Sequence, residues 1–263
     1  MKVNGYEIKP DAVLIDAVLK FADLTGVNLK GANLKGANLI YTDLTNADLT
    51  DADLTGADLT RVNLTRVNLT GAILRGANLK GAVLKDTILN YTDLKNANLE
   101  GVNLRGANLE NANLKSTSLR SANLKYASLK NTDLKNADLT YANLRGADLR
   151  DANLRCSVLE DADLRSTNIR YADLEDANLR GTVLNYTDLR GADLTGADLD
   201  FSCLPLWCGS FNMKVDNKFI SQLICHITRL DTEDCDKRTK EIISKLDEYK
   251  NDFCNYRSDI EKI

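Results

Sequence analysis

The residues with the widest chemical repertoire in this chain are one histidine, His226, and six cysteines, Cys156, Cys203, Cys208, Cys225, Cys235 and Cys254. A Ser-His-Asp system would have to be built on that single imidazole, and a histidine-rich zinc site is impossible without a second. His226 with Cys203, Cys208 and Cys225 could form a mixed metal site in principle. Cys225 and His226 are adjacent, however, and the other spacings match no zinc pattern, so no metal is expected. No G-x-G-x-x-G or G-x-x-x-x-G-K-[ST] phosphate loop occurs, and no cofactor is expected. The irregular cysteines, in a chain whose fold signal needs no staples, fit a reduced cytoplasmic setting. The N-terminus lacks the apolar core of a signal peptide, and no run of about 18 apolar residues is present, so neither export nor a membrane partner is expected.

Charged side chains are abundant and nearly balanced, 34 basic against 38 acidic for a net charge of −4, so charge has to be read by position. The positions are set by a repeat. From Leu14 to Leu204 every fifth residue is leucine, except Ile169, through 39 consecutive pentapeptides without an insertion or deletion. The residue two before each leucine is Ala, Val, Thr or Ser, and the residue one before it is Asp or Asn in 29 of the 39.

A five-residue step on an α-helix turns the chain about 500°, so the leucines would spiral around the cylinder without making a face. Coiled-coil and collagen periods fail as well. In an extended segment residues two apart share a face, which puts the small residue and the leucine inside together. The fifth residue must then carry the turn. All 13 glycines of the repeat sit there, and many other occupants are Asn or Asp, which also tolerate positive φ. A short extended segment and a turn, repeated, close into a stacked coil, an all-β solenoid.

At Ala52-Asp53-Leu54, Ala57-Asp58-Leu59 and Ala197-Asp198-Leu199 the sequence resembles the pentapeptide repeat family, with its A(D/N)LXX consensus. The resemblance covers 14–204. It implies a right-handed quadrilateral β-helix of about ten coils, 20 residues to a coil, with leucines filling the centre and a rod roughly 45 Å long. Three segments are expected: an N-terminal cap over 1–13, the β-helix over 14–204, and a helical cap over 205–263. In the last, Trp207 would lid the final leucine layer. Asp216 would cap a helix carrying Phe219, Ile220, Leu223, Ile224 and Ile227. A second helix from about Asp236 carries Ile242, Leu246, Tyr249, Phe253, Tyr256 and Ile260 at steps of four and three, a heptad seam. These six are the candidate dimer interface, and the resemblance favours a homodimer through the C-terminal helices.

Some members of the family act on type II topoisomerases, DNA gyrase or topoisomerase IV, by presenting a DNA-like acidic surface, which implies gyrase inhibition or quinolone protection as one reading. Reading positions modulo 20 places Asp43, Asp48, Asp53 and Asp58 one on each face, a ring, whereas a duplex mimic needs charges repeating along one face. Asp53, Asp93, Asp133, Asp173 and Asp193 do share a face and form the acidic candidate site. Lys95 and Lys135 lie two residues beyond Asp93 and Asp133 and are expected to pair with them. Topoisomerase-protecting relatives often carry loops that interrupt the coil, and this frame has none. Lys85, Arg105, Lys125, Arg145 and Arg165 form a basic ladder, a candidate docking surface for an acidic protein partner, and Lys130, Arg150, Arg170 and Arg190 follow on the next face. Tyr41, Tyr91, Tyr126, Tyr141, Tyr171 and Tyr186 occupy turn positions and are expected to cover the corners of neighbouring coils. Ile73, Val83 and Ile88 are apolar where Asp or Asn is usual. With no cleft to tune carboxylate pKa values on a convex rod, the expected function is a non-enzymatic protein-interaction scaffold that does not bind nucleic acid directly.

Overall fold

The computed structural model describes residues 1–199 together with Ser244 and Lys245. The expected C-terminal helices, Trp207, His226 and the six residues of the heptad seam therefore lie outside the described residues. The chain begins with a two-stranded antiparallel hairpin, β1 (Lys2–Val3) and β2 (Tyr6–Glu7), in which Val3 faces Tyr6. Asn4 and Gly5 between them both have positive φ, as a two-residue type I′ hairpin turn requires. The hairpin is tied to the rod at Val18, whose C=O accepts from Asn4 Nδ2 and whose N–H donates to the Tyr6 hydroxyl.

From Val13 onward the chain pairs in parallel with itself at a separation of 20 residues, Val13 with Asn33, Val18 with Asn38, and so on to Asn178 with Asp198. Four such columns make four sides. The first contains Asp53, Ile73 and Asp93, the second Asp58 and Asn78, the third Asp43, Asn63, Val83 and Asn103, and the fourth Asp48, Asn68 and Ile88. Every repeat leucine from Leu14 to Leu199, and Ile169 in their series, is at most 2% exposed, with the small residue two positions before it beside it in the core. Where that small residue is threonine, the buried hydroxyl is satisfied by a leucine carbonyl, as in Thr42 to Leu19 at 2.7 Å and Thr132 to Leu109 at 3.0 Å.

The backbone accounting explains why five residues suffice. Buried or half-buried amides need partners, and around Leu34 each finds one. The N–H of Ala32 closes the preceding turn to Leu29, that of Asn33 reaches back to Ala12, and those of Leu34 and Gly36 reach forward to Asp53 and Thr55. The fifth, on Lys35, is accepted by the side-chain Oδ1 of Asn33 at 3.3 Å. The same bond recurs at Thr45 to Asp43, Arg105 to Asn103 and Arg180 to Asn178. This side-chain turn is the structural reason for Asp or Asn before the leucine. The residue two after each leucine bears the turn, as expected: from Asp11 to Gly196 every fifth residue has φ between 53° and 73°. Tyr, Phe, Arg, Ser and Cys are held in this left-handed region as well as Gly, Asn and Asp.

Candidate interaction surfaces

Asp53, Asp93, Asp133, Asp173 and Asp193 do stack on the first side, but Ile73, Asn113 and Asn153 interrupt them. Four of the five carry a cation from the coil before. Lys35 Nζ lies 3.0 Å from Asp53, Arg75 pairs with Asp93, Lys115 Nζ lies 2.8 Å from Asp133, and Arg155 lies 3.4 Å from Asp173 while also pairing with Glu175. The expected pairing with Lys95 and Lys135 is corrected here. Those residues give Asp93 and Asp133 only their backbone N–H, while the ion pairs come from 18 residues upstream. The reason is geometric: on this side Lys35, Arg75, Lys115 and Arg155 lean toward the next coil, so their head groups meet the central column one coil on. Asp193 accepts from the N–H and hydroxyl of Thr195. At Asp53 burial works against ionisation, but the Thr55 hydroxyl and N–H and the Lys35 ammonium together hold the carboxyl below its usual range.

The acidic ring in the coil that contains Asp43, Asp48, Asp53 and Asp58 is equally occupied. The threonine two residues on donates its hydroxyl to each, at 2.5 Å for Thr45 and Thr50 and 2.6 Å for Thr55 and Thr60. The carboxylates are thus parts of the turns as well as surface charges.

The basic ladder on the third side is in register from Lys85 to Arg165, beside the bridging column Val83, Asn103, Asn123, Asn143 and Asp163. Its two ends are paired. Lys85 lies 3.8 Å from Asp86, and Arg165 forks onto Asp163 through Nε and Nη2 at 2.8 and 2.6 Å. Among the described residues Arg105, Lys125 and Arg145 make no ion pair. Arg105 and Lys125 instead flank the Tyr126 ring, 5.9 and 5.5 Å from its centroid, within cation–π range. On the fourth side Arg150 and Arg190 close onto Asp148 and Asp188, while Arg170 lies over Tyr171 and donates to its hydroxyl. Half of that column, Arg150 and Arg190, is therefore neutralised.

The pentapeptide repeat model matches in eight overlapping copies spanning residues 11–205. The chain belongs to the pentapeptide repeat family. HetL, a pentapeptide repeat protein involved in heterocyst differentiation regulation from the cyanobacterium Nostoc sp. strain PCC 7120, is 33% identical, with 78% of this chain and 87% of that one covered and a TM-score of 0.66. QnrB1, a plasmid-mediated fluoroquinolone resistance protein, is 18% identical over 82% of this chain and 96% of its own, with a TM-score of 0.55 for a trypsin-treated variant. That likeness is one of fold, the right-handed quadrilateral β-helix of the family. No curated relative matches the chain by sequence.

Within the family's regular frame, the tyrosines are the part that composition alone under-describes. Tyr126 and Tyr171 lie flat over Gly146 and Gly191 of the following coil, and a Cβ on Gly146 would meet the Tyr126 ring at 2.8 Å. Tyr41 stacks on Phe21 with centroids 5.5 Å apart and receives Arg61 on its hydroxyl at 3.1 Å. These three tyrosines do cover corners as expected. What sequence reasoning missed is a second basic column on the first side, Arg75, Lys95, Lys115, Lys135 and Arg155, each 20 residues from the next. The same modulo-20 reading that found the third-side ladder would have found it. Among the described residues no His, Cys, Asp and Glu side chains converge to hold a metal, and no helix is long and apolar enough to cross a membrane. A shallow cavity of about 300 Å³ lies between Met1, Lys2, Glu7, Ile8 and Lys9, away from every candidate column.

Proposed function

We propose that this chain is a non-enzymatic scaffold that binds protein partners through side chains displayed on the sides of a rigid rod. The observation that carries this reading is the division of labour within each pentapeptide. Inward positions and backbone bonds repeat almost unchanged, while the residue just past the leucine differs from side to side and supplies every lysine and arginine of the repeat except Arg61 and Arg66. HetL is named for a part in regulating heterocyst differentiation, and regulation through contact is the kind of role such a rod would serve here. Its setting is proposed to be cytoplasmic. Dimerisation through Ile242, Leu246, Tyr249, Phe253, Tyr256 and Ile260 remains a separate proposal.

The topoisomerase-mimic reading draws less support. The acidic stripe it needs is matched by Lys35, Arg75, Lys115 and Arg155, so the first side does not present an uncompensated row of negative charge. Four variants of the full chain, each reversing the outward charges of one side, separate the readings. One protein retained in stoichiometric amount from native extract, lost in one variant whose melting is unchanged, is the expected result. Retention of nothing, or equal retention by all four, would overturn the scaffold reading. In the same series purified gyrase is expected to supercoil DNA normally. Inhibition that disappears on changing Asp53, Asp93, Asp133 and Asp173 to Asn would establish the mimic instead.

A further inference from the structure

On the first side, Lys35, Arg75, Lys115 and Arg155 each neutralise an acid one coil on within the chain. The third side is built differently. Of the acids in its central column Asp163 pairs with Arg165, while Asp23 and Asp43, in the first coils, form no ion pair among the described residues, and the unpaired bases just past its leucines, Arg105, Lys125 and Arg145, begin three coils on from Asp43. At roughly 4.8 Å per coil the gap between Asp43 and Arg105 is about 14 Å, beyond the reach of an arginine. These groups can meet only on another molecule.

From this we infer that the third side is self-complementary, and that two copies of the chain pair along it antiparallel about Val83. Inverting the rod about the coil of Val83 sets Asp43 against the coil of Lys125 and Asp23 against the coil of Arg145. It sets Thr65 against Arg105, with Arg66 at the corner beside Thr65, so the attraction rests on the other two coils. The reach this needs, from the column past the leucine to the central column, is the one Lys115 makes to Asp133 at 2.8 Å. Val83, 37% exposed where Asp or Asn is usual, lies on the two-fold axis and meets its own copy. The Lys85 and Asp86 pair of one chain meets that of the other beside it. A parallel arrangement would stack base on base and is repelled. The two-fold, self-matching contact is the commonest form of subunit pairing.

Seven coils of one side bury roughly 600–800 Å² in total, taking about 4.8 Å per coil and a width near 10 Å. That is below the roughly 1,200–2,000 Å² of stable complexes, so the pairing is weak and salt-sensitive. The inference is independent of the scaffold reading and of the C-terminal seam.

The test is chemical trapping in the full chain. Val83→Cys is treated with a short bismaleimide beside the parent chain and beside Ile73→Cys, a similarly exposed apolar site on the first side. The expected result is a covalent dimer with Val83→Cys above the level of both controls. It should be lost at high salt and in a chain also carrying K125E and R145E, and should return when Asp23→Lys and Asp43→Lys are added to that chain. Trapping no greater than with Ile73→Cys overturns the proposal, as does a yield indifferent both to salt and to the double reversal.

Discussion

A glycine at the turn of this rod has two separable reasons to be there. One is the left-handed backbone, which costs an L-residue roughly 1–2 kcal/mol. The other is what lies on it. Asp11, Asp16, Asp51, Asp86, Asp161 and Asp176 each lean a carboxylate over the glycine 20 residues on, in the space that a Cβ would fill. Gly56 has the same φ of +66° as Gly31 and nothing within 4 Å of its added carbon. Gly56→Ala is therefore expected to cost about 1 kcal/mol, the backbone term alone. Gly71→Ala, beneath Asp51, is expected to cost clearly more, and Gly71→Ala with Asp51→Ala should fall back toward the Gly56→Ala value. Urea denaturation of the three variants checks this; equal losses for Gly56→Ala and Gly71→Ala would show that the carboxylate simply swings away.

The pentapeptide as an element is completed by its Asp or Asn, which accepts the one backbone N–H that no other coil can take. Where Ile88 stands instead, no side-chain acceptor faces the N–H of Asn90, and an apolar side chain is 44% exposed. Ile88→Asn is expected to raise stability by about 0.5–1.5 kcal/mol, the worth of a typical hydrogen bond. A thermal melt of that variant checks it, and a lowered midpoint would mean that Ile88 packs against something that its exposure does not reveal. This element was the most legible part of the sequence. Period, inward leucine, small partner and positive-φ corner all follow from Leu14 to Leu199 read as text, because each is a constraint that every copy obeys. The surface was less legible because its contacts depend on which way a long side chain leans. Lys95 and Lys135 lie nearer to Asp93 and Asp133 in sequence than Arg75 and Lys115 do, yet the latter reach them from the coil before. Nor does linear reading separate Arg165, which forks onto Asp163, from Arg145 on the same column, which makes no ion pair among the described residues.

Across the whole molecule each coil touches only its neighbours, so stability is approximately a sum of coil and interface contributions, and a change in one region need not melt the rod at once. The acid response belongs to this scale. Asp148, Asp163 and Asp188 are held below the usual carboxylate range first by the hydrogen bonds from Arg150, Arg165 and Arg190, with burial working against them. A carboxyl depressed in the folded state contributes stability above its unfolded value of about 3.9 and loses it as pH falls through the lower folded value. The melting midpoint is therefore expected to be flat from neutrality to about pH 5 and to drop below about pH 4. The drop should begin in the coils after Asp138, where these three pairs lie, and hydrogen exchange at low pH should show those amides opening before those of the coil around Leu79. Changing all three aspartates to Asn keeps the Oδ1 that accepts each turn N–H and removes only the charge, so the variant should lose part of its stability at pH 7 and show a shallower acid slope. An acid slope identical to that of the parent chain would place the response in other carboxylates and remove these three pairs as its source.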